Sequence, residues 1–276
     1  NVAAVLTVPA LIDLYERSPE FHRLAPSTRR TYSLYLAVIA KQLNTAPAGE
    51  VERRDVLQMR AKMADRTGAA NGMIRTMRAL YRWSRDNEHV TNDPCAGVAL
   101  FDSKDYEPWP DDLLDQALAS DDPAIRLPAA LLYYTAQRIG DVCKMRWSDV
   151  RDGFAMVKQE KTGKDMEILL HASLRAELDR SPRAALTILA DSVGRPLKVA
   201  ALRDRLQTWA AEREHKIVPH GLRKNAVNAL LEAGCTVAET AAVSGQSLQM
   251  VEHYAKRRSG RKLSTAAIHK LERSKA

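Results

Sequence analysis

The sequence predicts a mainly α-helical protein in two parts, the second of which carries one small antiparallel β-sheet. Three observations lead there. Apolar residues recur at helical spacing along most of the 276-residue chain. Around 154–170 the texture changes to two short apolar runs flanking a turn-rich centre. A polar, proline-bearing, aperiodic segment, Ser103 to Pro110, interrupts the helical pattern and marks a boundary. The length suits one large domain or two ordinary ones, each able to bury a core. The expected division is a helical unit over 1–103, a linker over 104–110 and a second unit over 111–276.

The first part reads as helices. Pro26-Ser27 opens one, with Ser27 as its N-cap, and Tyr32, Leu36, Ile39 and Leu43 follow at helical spacing. A further helix carries Val56, Met59 and Met63. The clearest has Ala70, Met73, Met77, Leu80, Tyr81 and Ser84 on one face and Arg75, Arg78, Arg82 and Arg85 nearly opposite. A lone arginine stripe is ordinarily a solvated face. In a protein that binds DNA, the same four residues are candidate backbone contacts. Asn92-Asp93-Pro94 then stops the pattern.

The second part begins with helices from Asp111 to Ala119 and from Pro123 to about Ala136. Strands are expected at Phe154–Val157 and Met166–Leu170, with a hairpin tip at Lys161–Asp165. Helical patterns return to the end, with breaks near Pro182, Pro196, Pro219, Gly234 and Gly245.

Lys and Arg total 42 against 34 Asp and Glu, a net charge of +8, which favours a polyanionic partner. Nucleic acid and an anionic membrane surface both meet that description. The membrane reading weakens because no apolar run approaches the roughly 20 residues of a spanning helix. The start, Asn1-Val2-Ala3-Ala4-Val5-Leu6, lacks a basic n-region and an initiator Met, as a processed or trimmed end would. Cys95, Cys143 and Cys235 are scattered in apolar surroundings. They suit reduced, buried thiols in a cytoplasm better than a disulfide frame or a zinc site.

Four local signals could carry chemistry, and each has an ordinary alternative. Arg138 follows a long apolar helix with Asp141 three residues on; a local ion pair explains both. Lys161 sits in the hairpin turn, where lysines are usually just solvated, but from which an ammonium can reach a groove and donate a proton. His220 and Arg223 share a face at a helix start, where free N–H groups favour an anion; a capping His and a surface Arg would look the same. Tyr254 lies in Val251-Glu252-His253-Tyr254-Ala255, a pattern that ordinarily buries its ring. Together they form the set that metal-free phosphoryl transfer requires. Arginines clamp the non-bridging oxygens, Lys protonates the leaving oxygen, His accepts a proton and Tyr attacks phosphorus.

These blocks resemble the tyrosine recombinase (phage integrase) family. Thr135-Ala136-Gln137-Arg138-Ile139-Gly140-Asp141 and Met145-Arg146-Trp147-Ser148-Asp149 are similar to its first arginine box. His220-Gly221-Leu222-Arg223 is similar to its second, and the segment around Tyr254 to its nucleophile box. The likeness is strongest over 131–170 and 217–256 and looser over 5–100. The chain departs from the family pattern at Gln246, where a His or Trp usually follows the glycine and positions the scissile phosphate. The amide of Gln246 can still donate a hydrogen bond.

The resemblance implies a helical core-binding domain over 1–103 and a catalytic domain over 111–276, closing around duplex DNA. It implies a site-specific recombinase of the phage and mobile-element kind, working through a 3′-phosphotyrosine on Tyr254 and a Holliday junction. Arg138, Asp141, Lys161, His220, Arg223 and Gln246 complete the implied site, with no metal and no other cofactor. A basic tail helix bearing Leu263, Ala267, Ile268 and Leu271 would dock on a neighbouring protomer of a tetramer. DNA-bending accessory proteins and a cytoplasmic, nucleoid-associated setting fit the same picture. A type IB topoisomerase and a non-catalytic DNA-binding protein on this scaffold remain the alternatives.

Overall fold

The structure, a computed structural model, describes residues 5–102, 105–256, 264–265, 268–269 and 272. Of the tail positions named above, Leu263, Ala267 and Leu271 lie outside the described residues; Ile268 is described and exposed. The chain divides into two units, Asn1–Asp105 and Tyr106–Ala276.

The first unit holds α1 (Val8–Arg17), the single turn α2 (Pro19–His22), α3 (Pro26–Gln42), α4 (Arg53–Ala61) and α5 (Thr67–Asp86). Hydroxyls start the first two: Thr7 accepts from the Ala10 N–H and Ser18 from the Phe21 N–H. The α3 start differs from expectation. Its cap position is Ala25, without a side-chain bond, and Ser27 lies inside the helix. Pro26 at the first helical position has its φ preset and no N–H to satisfy, so the helix begins two residues earlier than a Ser27 cap would allow. Likewise α4 ends at Ala61, and Met63 is buried just beyond it.

The buried face of α5, with Met73, Ile74, Met77, Leu80 and Tyr81, packs with Leu36 and Ile39 of α3 and Leu11 and Ile12 of α1. Gly72 lets α3 come close, since a Cβ there would meet the Tyr35 ring. The arginine stripe of α5 splits. Arg75, Arg82 and Arg85 are exposed, but Arg85 pairs with Asp93 at 3.0 Å and the half-buried Arg78 donates to the Val98 carbonyl. Arg53 and Arg60 donate to the Gly97 and Ala99 carbonyls. The non-helical stretch 93–101 therefore takes side-chain donors for carbonyls that no ladder satisfies.

The second unit holds α6 (Asp111–Leu118), α7 (Pro123–Thr135), α8 (Ile139–Lys144), β1 (Val150–Arg151), β2 (Phe154–Lys158), β3 (Asp165–Leu169), α9 (Ala172–Arg180), α10 (Val199–Ala211), α11 (His220–Glu232), α12 (Val237–Ser244) and α13 (Leu248–Lys256). Helix α7 is apolar on most sides and runs through the core, as such a helix must. The sheet is antiparallel in the order β1-β2-β3, with Ala155 opposite Ile168 and Val157 opposite Met166; all four side chains are buried. The two-residue β1 was not expected, because it is too short to show alternation. Nor is 181–198 helical. It is an irregular run anchored by the Ile188 N–H to the Met145 carbonyl and by bridges Arg146–Thr187 and Ala190–Pro196.

Two buried asparagines fasten the chain on either side of the unit boundary. Asn71 exchanges two hydrogen bonds with the backbone of Phe101, both 2.8 Å. Asn225 does the same for Trp109, at 2.7 and 2.8 Å. Trp109 is buried, stacks on Trp209 and donates its indole N–H to the Val218 carbonyl. The last residues of the segment expected as linker are thus part of the second unit's core. Replacing Asn225 by Leu keeps the volume but leaves a buried N–H and C=O unpaired. The unfolding free energy should fall by about 2–4 kcal/mol, read by tryptophan fluorescence in urea; an unchanged midpoint would contradict this account of the anchor.

Candidate active site

At the end of α7 the chain turns through Ala136, a buried residue in the left-handed conformation at φ 53°. A non-glycine residue there costs about 1–2 kcal/mol. The turn sends Gln137 inward and sets Arg138 at the start of α8. One Arg138 nitrogen donates to Gln159 Oε1 at 2.9 Å and lies 3.8 Å from Asp141 Oδ2. Asp141 is buried, and its other oxygen accepts the Glu160 N–H at 2.9 Å. Asp141 therefore holds the base of the β2–β3 hairpin while facing Arg138.

Helix α11 begins with His220 and brings Arg223 one turn later. The Arg223 side chain is 1% exposed. Nη2 donates to the Ser244 carbonyl at 2.8 Å, but Nε and Nη1, both buried, have no hydrogen-bond partner among the described residues. Burial, then the like charge of Arg138, lowers its pKa to about 10, while Asp141 and Tyr254 favour the cation. It is still charged at neutral pH. A buried cation with two unused donors is expensive in isolation and is an anion receptor by construction.

His220 is half-buried, with the Tyr106 ring edge-on at 5.6 Å. Burial first, then the charges of Arg223, Lys224, Arg138 and Lys161, push its pKa below the usual histidine value. Its imidazole is therefore neutral at pH 7 and able to accept a proton. Lys161 is exposed at the hairpin tip.

Tyr254, on α13, is half-buried against a satellite cluster of Val227, Leu231, Ala241 and Val251. The buried ammonium of Lys224, next to Arg223 in α11, lies 5.3 Å from the Tyr254 ring centroid. Helix α12 is opened by a Thr236–Glu239 capping box and closed by Gly245 at φ 67°. A Cβ at 245 would run into Gln159 Nε2 and Met166 Sδ. Gln246 follows, with its N–H on Ser244 Oγ at 3.3 Å and its side-chain oxygen buried without a hydrogen-bond partner among the described residues.

The structure thus gathers Arg138, Asp141, Lys161, His220 and Arg223 into one electrostatic neighbourhood and brings Tyr254 to it through Lys224 and Arg223. Arg75, Arg78, Arg82 and Arg85 belong to the first unit. Sequence reasoning missed Gln137, Gln159, Lys224 and Ser244. One signal was available: Gln159 continues the inward register of Ala155 and Val157, so alternation alone puts a polar amide on the buried face.

Residues 111–261, more than half of the chain, match the phage integrase family. The chain belongs to that family. Its integrase relatives include the integrase of Enterobacteria phage 434, 28% identical over 207 residues, and that of Escherichia phage lambda, at the same identity and length. Each alignment covers 70% of this chain and 58% of the relative, so the chain matches little more than half the length of those proteins. Among solved structures, a lambda integrase fragment, residues 75–356, in a dimer bound to a COC′ core site has a TM-score of 0.81 at 23% identity. It covers 92% of this chain and 97% of that one. The Tn1549 transposon integrase in complex with circular intermediate DNA has a TM-score of 0.75 at 15% identity, covering 95% and 99%. At these identities the structural likeness bears on the fold.

The depressed His220 pKa has a consequence for stability. Below about pH 6.5 the unfolded chain takes up a proton on His220 that the folded chain resists, so acidification through that value costs stability until the folded pKa is also passed. His220→Gln should lose less stability than the parent between pH 7 and pH 5, measured as urea midpoints. Parallel losses would show that His220 is not held neutral by its surroundings.

Proposed function

We propose that this integrase is a site-specific DNA recombinase that cuts and rejoins duplex DNA through Tyr254. The observation that carries the proposal is the buried Arg223 guanidinium, two of whose nitrogens have no hydrogen-bond partner among the described residues, beside Arg138 and within the electrostatic reach of Tyr254. Arg138 and Arg223 bind the non-bridging oxygens of the scissile phosphate. In a site this buried, their charge stabilises the extra negative charge of the transition state far more than in water. The phenol oxygen of Tyr254 attacks phosphorus, and neutral His220 accepts its proton. The bond from phosphorus to the 5′-oxygen breaks, and that oxygen takes a proton from Lys161, giving a 3′-phosphotyrosine and a 5′-hydroxyl. A 5′-hydroxyl from a second duplex reverses the reaction. The bond energy is kept in the phosphotyrosine, so the cycle calls for neither metal nor nucleotide. Asp141 braces Arg138 and the hairpin, and the amide of Gln246 substitutes as a phosphate donor for the ring usually found there.

On this reading residues 1–103 are the core-binding domain and 111–276 the catalytic domain, with Trp109 of the segment between them anchored in the core of the second unit. The exposed Arg75 and Arg82 touch the DNA backbone, while Arg78 and Arg85 hold the fold of their own unit. A lambda integrase tetramer bound to a Holliday junction, with a TM-score of 0.81 at 22% identity, supports assembly as a tetramer on DNA. The docking of the tail that carries Ile268 on a neighbouring protomer belongs to the same proposal. DNA-bending accessory proteins and a cytoplasmic, nucleoid-associated setting belong to the same proposal. No helix among the described residues is long and apolar enough to cross a membrane.

The test is covalent trapping. Wild-type protein and Tyr254→Phe are incubated with a pool of nicked duplexes randomised around the nick, then run on denaturing gels. A protein–DNA adduct from the wild type alone supports the proposal. Binding without any adduct favours a non-catalytic DNA-binding protein, and an adduct that persists in the Phe variant removes Tyr254 as nucleophile.

A further inference from the structure

The Gln159 side chain bonds four different residues, and none of the chemical steps above uses it. Its side chain is fully buried at the end of β2. Nε2 donates to Gln137 Oε1 at 2.7 Å and to the Ser244 carbonyl at 3.1 Å. Oε1 accepts from Arg138 Nη1 at 2.9 Å and from Thr162 Oγ1 at 2.9 Å. Two donors and two acceptor lone pairs are all an amide has, so its capacity is filled. The orientation is not interchangeable. Flipping the amide would aim its NH2 at the Arg138 guanidinium and its oxygen at two acceptors, Gln137 Oε1 and the Ser244 carbonyl.

Each partner leads to a different part of the site. Arg138 is a proposed phosphate ligand. Thr162 is the residue after Lys161, so its hydroxyl ties the hairpin tip to the core. The Ser244 carbonyl also accepts from Arg223 and immediately precedes the Gly245 turn into α13. Gln137 extends the net to the Val243 carbonyl at 3.0 Å. A second observation agrees: Gly245 lacks a Cβ where one would strike Gln159 Nε2, so the turn is shaped around this amide.

We propose that Gln159 is a positioning residue that sets Arg138 and, through Thr162, the Lys161 hairpin tip in register with the turn leading to Tyr254. Gln159 touches no reacting atom. It is the point at which the phosphate ligand, the proton donor and the nucleophile's helix are referred to one another. This inference rests on the proposed cleavage chemistry, and a change of leaving group separates the two. When sulfur replaces the bridging 5′-oxygen, the departing thiolate needs no proton, so a misplaced Lys161 no longer matters.

The experiment uses the full chain and a pool of nicked duplexes randomised on both sides of one fixed phosphodiester. The pool is made in paired forms with oxygen or sulfur as the bridging 5′ atom. Rates of adduct formation are compared for wild type, Gln159→Met and Thr162→Val. Thr162 is exposed, so its variant remains informative even if Gln159→Met folds poorly. Thr162→Val should form adduct at least roughly tenfold more slowly on oxygen DNA and near the wild-type rate on sulfur DNA, the signature of a displaced general acid. Gln159→Met should be slower than Thr162→Val on oxygen DNA and only partly rescued by sulfur, because Arg138 is released as well. Wild-type rates for both variants on oxygen DNA, or a Thr162→Val defect equal on the two DNAs, overturn the inference and leave the cleavage chemistry standing. No adduct from the wild type on either DNA overturns the cleavage chemistry and the inference together.

Discussion

The bond from Arg223 to the Ser244 carbonyl anchors the second unit's chemistry. It joins the first turn of α11 to the last of α12, and it does so with one nitrogen of a guanidinium whose other two have no hydrogen-bond partner among the described residues. Folding gains little from such a group. Taking a cation out of water costs several kcal/mol even after relaxation, and one neutral carbonyl does not offset that. The neighbouring charge of Arg138 adds to the cost. What holds the arrangement is the surrounding apolar core, with Leu222 beside Arg223 in the main cluster and Val227 in the satellite under Tyr254. The fold carries a locally unfavourable charge that a phosphate would relieve.

That constraint organises its neighbours. Ser244 O serves both Arg223 and Gln159, so α12 must end there, and Gly245 supplies the left-handed turn that lets it. Gln159 in turn fixes Arg138, which the strained Ala136 turn has already delivered to the head of α8. Asp141 closes the loop by binding the hairpin backbone and facing Arg138. Four segments far apart in sequence meet through a few polar atoms. Such networks are rigid when every member is satisfied, and here the donors left over are those a substrate would use.

Much of this was legible in the sequence. The 3.6-residue period of α3 and α5 and the alternation around the hairpin are local properties, and the proposed site residues Arg138, Lys161, His220, Arg223 and Tyr254 stand out by residue type. What escaped depends on partners distant along the chain. Gln159 bonds groups 22 and 85 positions away, and neither glutamine has a local pattern beyond one inward strand position. Trp109 stands between two prolines in a polar stretch and reads as linker until Asn225, 116 positions on, is seen to hold it. The run 181–198 keeps no regular period, because its fold is set by single bonds to the chain near Met145 and Arg146. Ser27 failed as a cap because Pro26 already satisfied the local requirement.

On the proposed chemistry, Arg223 is kept for an anion and against stability. The most direct measurement compares the urea unfolding of wild type and Arg223→Met without DNA, alongside adduct formation with it. Methionine fills much of the same space, and the Ser244 carbonyl keeps its bond from Gln159. The expected variant is as stable as wild type or more so, with adduct formation abolished. A variant destabilised by about 3 kcal/mol or more, the usual result of breaking a satisfied buried ion pair, would contradict that expectation and make Arg223 a structural residue.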